Sequence, residues 1–312
     1  MISVSIIMSV YSEPIEWVEQ TIDSVLFQTF VDFEYIIIHD NPDNKTIFNY
    51  LTKKAKTDKR IRVIQNDVNI GLTKSLNVGI SLAAGKYIAR IDADDIWRKS
   101  KLEKQVAYLD MNKEIDVCGC SVDYIDERGN YIQHMDFPHT HIDIGCAMVR
   151  TNPLVHSSVL LRKSAIVKRA PFYYDESYRT TQDYALWAAL YSEGYRFTNL
   201  PERLLKYRIS SNQTTKKKRA EQLQNAENAK KILLSKISKK LEIKNVFDLE
   251  DKELISIFKN LGKSENKLIL SHYLYFRIID KTISRKERIL KLLQSRLFLY
   301  VSLKKTIKLI LR

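Results

Sequence analysis

Between Val4 and Ile91 the chain alternates short apolar runs with amphipathic stretches, and few architectures accept that order. Val4–Val10 is a β-branched run, and Ile15–Phe27 carries helical spacing. Tyr35–His39 (YIIIH) and Ile61–Gln65 read as buried strands. Leu72–Ala84 places Leu72, Leu76, Ile80, Ala83 and Ala84 on one helical face and ends at Gly85, a helix-stopping residue. Lys86–Ile91 (KYIARI) is then a fourth strand that runs into acids. Strands taking turns with helices build a parallel sheet covered on both faces. Such sheets bind ligands beyond the carboxyl ends of their strands. The expected fold class is α/β.

Beyond residue 101 the pattern changes twice. Up to about residue 212 it is mixed, with a strand-like DVCGCSVDYI stretch, a polar loop over Gln133–Asp143 and a helix near Asp183–Ser192. From Gln213 onward the chain reads as helices with few glycines. Of the 51 Lys and Arg residues, 25 lie in 213–312 against 10 Asp and Glu, so the net charge of +14 belongs to the C-terminal third. There Ile289, Leu293, Leu297, Tyr300, Leu303, Ile307 and Ile310 form an apolar stripe of helical period, with Lys291, Lys305, Lys308 and Arg312 away from it. This predicts a basic amphipathic helix suited to an anionic membrane surface, or else a helix packed on protein. Cys118, Cys120 and Cys146 have neither disulfide nor zinc-site spacing and read as reduced thiols. The opening apolar stretch lacks a basic leader and runs into Glu13, so it reads as a strand and not a signal peptide. No run of 18 apolar residues is present to span a membrane.

Five constellations carry chemistry. Asp92-Ala93-Asp94-Asp95 sets three carboxylates at the end of a buried strand, where they repel unless a cation joins them. Hard oxygen ligands of this kind suit Mg²⁺ or Mn²⁺ shared with a substrate diphosphate, the alternative being a solvated acidic turn. Gly71, in the run from Asn69 to Gly79, opens a helix whose free amides and dipole favour anions, or it is an ordinary loop glycine. Asp40 directly follows a strand and can accept the N3–H of uracil, or simply start the turn before Asn41-Pro42. Asp183, after Gln182, begins a helix and is explained equally by capping it. His156, in NPLVHSS, has no partner that spacing alone reveals.

Together these segments resemble the inverting family 2 glycosyltransferases of the GT-A fold, of the bacterial surface-glycan type, over roughly residues 1–212. NIGLTKSLNVGISLAAGKYIARIDADD is the most specific stretch, and VSIIMSVYSE, TNPLVHSSVLLRKSAI, YDESYRTTQDYALWAAL and LPERLLKYRISSNQT accompany it. The resemblance implies a Rossmann-like, mostly parallel sheet with flanking helices, split into a nucleotide-sugar-binding half (1–105) and an acceptor-binding half (106–212). The basic composition beyond it sets off a C-terminal basic helical extension (213–312) that the resemblance does not cover. The resemblance further implies that Tyr11, Asp40, Asn69, Gly71, Lys74, Asn77, Arg90 and Asp92 contact the nucleotide sugar, and that Asp92 and Asp94 hold Mn²⁺ or Mg²⁺. It places His156 and Gln182 on the acceptor side and makes Asp183 the catalytic base. The chain departs from the family at His39-Asp40-Asn41-Pro42, where Asp-Asp-Gly-Ser is usual. It departs again at Gln182, where an acid is common, and at Ile209-Ser210, where many relatives carry a histidine.

The function expected is transfer, with inversion, of a hexose or N-acetylhexosamine from a UDP-sugar to a hydroxyl of a glycan or lipid-linked glycan acceptor. The enzyme would be cytoplasmic and peripheral on the inner membrane face. A sugar-phosphate nucleotidyltransferase is the nearest alternative, but SVYSEPIEW offers no basic residue to grip a triphosphate. A nucleic-acid-binding protein is the alternative from another class; no reading motif accompanies the basic third, so no nucleic-acid partner is expected.

Overall fold

The computed structural model describes residues 2–170, 173–210, 219–250, 253 and 265–282. Two compact units divide the chain, Met1–Leu233 and Leu234–Arg312. In the first, β1 (Val4–Val10), α1 (Ile15–Leu26), β2 (Phe33–His39), α2 (Lys45–Thr57), β3 (Ile61–Gln65), α3 (Leu72–Leu82) and β4 (Tyr87–Arg90) follow one another as the alternating pattern requires. Next come β5 (Ile96–Trp97), α4 (Lys101–Met111), β6 (Val117–Ile125), β7 (Tyr131–Met135) and α5 (His141–Met148). The unit continues through β8 (Leu160–Arg162), α6 (Lys163–Ile166), α7 (Gln182–Glu193), β9 (Phe197–Arg208) and into α8 (Arg219–Lys240).

Among the described residues the strands form one sheet in the order β3-β2-β1-β4-β8-β6-β9-β5, with β7 paired on β6. β1, β2, β3 and β4 are parallel, as are β6 and β9, while β8, β5 and β7 join antiparallel. The chain runs outward from β1 to β3 and returns to β4 on the other side of β1. That reversal opens a crevice at the carboxyl ends of β1 and β4. Both faces of the sheet are covered, so β1 and β2 are almost wholly buried and carry little polar alternation. The core under them joins Val4, Ile6 and Met8 of β1, Tyr35 and Ile37 of β2, Val18 and Ile22 of α1, and Leu102 of α4.

Three local expectations change. Gly85 does not cap α3, which ends at Ala83 in an extended conformation. It lies against β1, where an added Cβ would stand 2.5 Å from the Ser5 nitrogen and 2.8 Å from the Val4 carbonyl carbon. The position therefore demands close backbone approach. The polar stretch Gln133–Asp143 is not all loop: its first residues complete β7, and Thr140 caps α5 by accepting the Asp143 N–H at 3.2 Å. Asp183 does not cap α7 either, because Thr181 holds that place.

The second unit contains the end of α8 and α9 (Glu265–Thr282). There Ser238 Oγ donates to the Leu234 carbonyl (2.8 Å) and accepts the Val246 N–H (3.3 Å). Arg277 donates to the carbonyls of Val246 (3.0 Å) and Leu249 (2.8 Å). The apolar stripe from Ile289 to Ile310 and its lysines lie outside the described residues. No helix among the described residues is long and apolar enough to cross a membrane.

Candidate active site

Parallel strands in register deliver their loops to one edge of the sheet. Val10 stands beside His39, and Ile7 beside Arg90, so Tyr11, Asp40 and the Asp92–Asp95 turn emerge together. The three carboxylates of that turn meet different surroundings. Asp92 is gripped on both oxygens by the buried guanidinium of Arg90. Ser157 Oγ accepts the Asp92 N–H (2.9 Å) and donates to its Oδ2 (3.0 Å). Asp95 is fully buried, and its Oδ1 accepts the Arg208 N–H at 2.9 Å. Burial, and then the Asp94 charge, push its carboxyl well above the usual range.

No side chain among the described residues donates to Asp94. Burial, followed by the charges of Asp92 and Glu13, raises its pKa to about 7. Glu13, whose carboxylate accepts the Tyr11 N–H at 2.8 Å, is itself raised, mainly by burial. Asp94 thus stands in an excess of negative charge, with Arg90 acting against it. No three His, Cys, Asp or Glu side chains among the described residues converge as a ready-made metal cage. A Mg²⁺ or Mn²⁺ site that shares one or two carboxylates with a bound diphosphate requires none. The hard oxygens of Asp94, short of counter-charge, fit a cation of that kind.

Asp40 and Asn77 do different work from that expected. Asp40 is 2% exposed. Its Oδ1 accepts from Asn66 Nδ2 (2.7 Å) and the Ile70 N–H (2.9 Å), and its Oδ2 accepts the Gly71 N–H (2.9 Å). The Gly71 amide at the helix start, and the Ile70 amide before it, are therefore already taken by a carboxylate. Gly71, at φ +85°, makes that turn possible. Asn77 is buried and does not reach the cleft. Its amide donates to the Tyr174 carbonyl (3.0 Å) and Glu176 (3.2 Å), and its oxygen accepts the Tyr174 N–H (2.8 Å). It pins the segment before α7 onto α3 instead of binding a ligand.

Across from the acidic turn, Asp183 lies in the first turn of α7. Its Oδ2 accepts from Asn152 Nδ2 at 2.7 Å, and burial raises its pKa while the Tyr184 amide, Arg90 and Asn152 act against that rise. A half-buried carboxylate shifted upward is a better proton acceptor than a fully exposed one. His156 is held neutral by burial and by nearby Arg90; its Nε2 shares a 2.7 Å hydrogen bond with Tyr174 Oη.

Tyr11, Asp40, Asn69, Gly71, Lys74, Arg90, Asp92, Asp94, His156, Gln182 and Asp183 all line one open cleft of about 2170 Å³. Of the residues proposed from the sequence, only Asn77 stands apart from it. The cleft wall also includes Glu13, Asn152 and Tyr207. It is braced by Arg208, which donates to the Asp94 carbonyl (2.8 Å), the Asp126 and Glu127 carbonyls and Gln20. Glu13, Asn152 and Arg208 were not singled out from the sequence. All three sit inside quoted segments, but Asn152 meets Asp183 31 residues on and Arg208 meets Asp94 114 residues back, while Glu13 acts on Asp94 through space. Only the fold brings them together.

Residues 5–172 match the family model described as "Glycosyl transferase family 2". An uncharacterized glycosyltransferase of Methanocaldococcus jannaschii is 38% identical over 207 residues, covering 66% of this chain and 70% of that protein. The O-antigen biosynthesis glycosyltransferase WbnJ of Escherichia coli is 31% identical over 215 residues, covering 68% of this chain and 82% of its own. Among solved structures, TarS 1-349 of Staphylococcus aureus in complex with UDP has a TM-score of 0.60 at 16% identity, covering 92% of this chain and 77% of that one. The mannosyltransferase PcManGT of Pyrobaculum calidifontis, in complex with GDP-Man and Mn²⁺, has a TM-score of 0.57 at 14% identity, covering 98% and 83%. At such identities the structural matches speak for the fold.

Proposed function

The chain belongs to glycosyl transferase family 2, and on that premise we propose that it transfers a hexose or N-acetylhexosamine from UDP to a glycan hydroxyl, with inversion, in the synthesis of a surface polysaccharide. The observation that carries this reading is the sharing of one cleft by the under-neutralised Asp94 and the half-buried Asp183. Asp94 and Asp92 would hold Mn²⁺ or Mg²⁺ together with the donor diphosphate. Bound there, the cation supplies Lewis-acid stabilisation of charge on the departing nucleotide. Arg90 and Ser157 keep the Asp92 carboxylate in one orientation throughout.

Asp183 accepts the proton of the acceptor hydroxyl as that oxygen attacks C1 from the face opposite the diphosphate. Its proton affinity is raised by burial, and Asn152 holds the carboxylate in place. Help of this kind contributes roughly 10²–10⁴-fold. Tyr11, 46% exposed at the end of β1, offers a ring to the nucleobase. UDP is the nucleotide proposed; the structural neighbours hold UDP in TarS and GDP-Man in PcManGT, and the panel below separates the two. The basic C-terminal third would hold the enzyme to the anionic inner face of the cell membrane, close to lipid-linked acceptors.

The test is a thermal-shift panel of UDP, GDP, UDP-glucose, UDP-GlcNAc and GDP-mannose, each with Mn²⁺ and with chelator. A ligand at a hundred times its dissociation constant adds about 2.7 kcal/mol. UDP should raise the melting temperature only with the metal present, and Asp94→Asn should lose that shift. A UDP shift of equal size in chelator would remove the metal from the reading.

A further inference from the structure

The family match ends at residue 172, yet the cleft does not. The first turns of α8 present Arg219, Gln222, Leu223, Ala226, Glu227 and Lys230 to it, a set at three- and four-residue steps and hence one helical face. A neighbouring position on the same helix, Asn225, reaches the segment just before the proposed base. Asn225 Nδ2 donates to the Thr180 carbonyl and to Thr180 Oγ1, both at 3.0 Å. Thr180 is itself buried, and its hydroxyl also approaches Glu221 Oε1 at 3.4 Å.

The bond to the Thr180 carbonyl matters because of the residue that follows. Thr181 has φ +65° and ψ +17°, the left-handed conformation, which a β-branched residue adopts only under constraint. Its side chain makes no capping hydrogen bond to offset that strain. The Thr180 carbonyl and the Thr181 nitrogen belong to the same peptide plane. An amide that holds the carbonyl fixes the plane about which the Thr181 φ turns. Thr181 in turn opens α7, its carbonyl accepting the Ala185 N–H at 3.1 Å, and Asp183 stands two residues into that helix.

We infer that Asn225 is a positioning residue for catalysis: by clamping the Thr180 peptide it holds Thr181 left-handed and so aims Asp183 at the acceptor hydroxyl. The inference rests on the reading of Asp183 as the base. It gives α8, outside the matched family segment, a part in the reaction.

The experiment is a double-mutant cycle on the full chain between Asn225→Ala and Thr181→Gly, with Asp183→Asn alongside. Turnover is followed as nucleotide release from whichever of UDP-glucose, UDP-GlcNAc and GDP-mannose the unsubstituted enzyme hydrolyses fastest. Asn225→Ala should lower kcat about tenfold or more, with KM for the donor and the Mn²⁺-dependent UDP shift unchanged. Glycine takes the left-handed conformation without steric cost, so in the Thr181→Gly background the same change should cost less than about threefold. Asn225→Gln, which keeps the amide, should recover part of the loss. A kcat that stays normal in Asn225→Ala, or a loss that is the same in both backgrounds, overturns the inference. Normal turnover in Asp183→Asn would instead overturn the assignment of the base, which separates the two failures.

Discussion

Neighbouring carboxylates in this cleft have unlike tasks because their surroundings differ. Asp92 has a guanidinium and a hydroxyl, Asp95 a backbone amide and Asp183 a carboxamide, while among the described residues no side chain donates to Asp94. That contrast predicts separable phenotypes. Asp183→Asn should retain metal-dependent UDP binding by thermal shift while turnover falls about a hundredfold or more, since a neutral amide cannot take the proton. Binding and turnover lost together would point to a collapsed cleft and not to missing base chemistry. The acids of the DADD turn and Asp183 could be singled out from the sequence because the first stand at the end of a plain strand and the second at the start of a plain helix. Asn77 could not. It shares a helix with Lys74 and the same stretch of matching residues, but its face meets Tyr174 and Glu176, a contact 97 and 99 residues distant that no local pattern encodes. Asp40 shows a related difficulty: a strand-end carboxylate looks the same in sequence whether it meets a base, holds a loop or, lining the cleft as here, is placed for both.

At the scale of elements, the boundaries of β1, β3 and α7 were legible within a residue or so, and the role of Gly85 was not. Its neighbours are backbone atoms of Val4 and Ser5, which cannot swing aside. Gly85→Ala should therefore destabilise by about 1–3 kcal/mol, toward the upper end, read as a lower denaturant midpoint. A neutral result would mean that β1 and the α3–β4 connection can part at little cost. Helix α4 carries a second element-level feature. Lys101 is fully buried, with its ammonium donating to Gln105 Oε1 at 2.8 Å and lying 3.9 Å from the Trp97 ring centre. Burial lowers its pKa to about 8, against the pull of the Cys118 and Cys120 thiols. The unfolded chain therefore binds the extra proton between about pH 8 and 10.4, and stability contributed at this site rises with pH across that window. Below it the penalty of the buried charge is fully present. Lys101→Met should accordingly stabilise the protein at pH 7 by about 1–3 kcal/mol, and the gain should shrink toward pH 10. A destabilised Lys101→Met at pH 7 would show that the contacts with Gln105 and Trp97 outweigh desolvation.

For the molecule as a whole, the α/β architecture was the most legible property, since alternating strand and helix periods admit few topologies. The antiparallel insertions of β5, β7 and β8 were less so: short strands of two to five residues leave little periodic signal. Charge is also a whole-molecule property. With 25 basic and 10 acidic residues in 213–312, the full chain should co-sediment with anionic vesicles at low salt. A chain ending near Lys281 should bind them more weakly, and both should release as salt screens the attraction. Equal binding by the two lengths would place the contact elsewhere.

The participation of α8 in the cleft wall bears on how such enzymes can be recombined. A chimaera that exchanged everything after β9 would import a foreign face of Arg219, Gln222, Leu223, Ala226, Glu227 and Lys230 opposite the native acidic turn, and with it a foreign partner for Thr180. On the proposed reading, donor handling at β1 to β4 would pass through such a graft intact, while acceptor choice and the setting of the base would change together. A junction placed after Leu233 would leave the whole pocket of native origin. On the proposed reading, substitutions along this one helical face would alter the acceptor side with the nucleotide end of the sheet untouched.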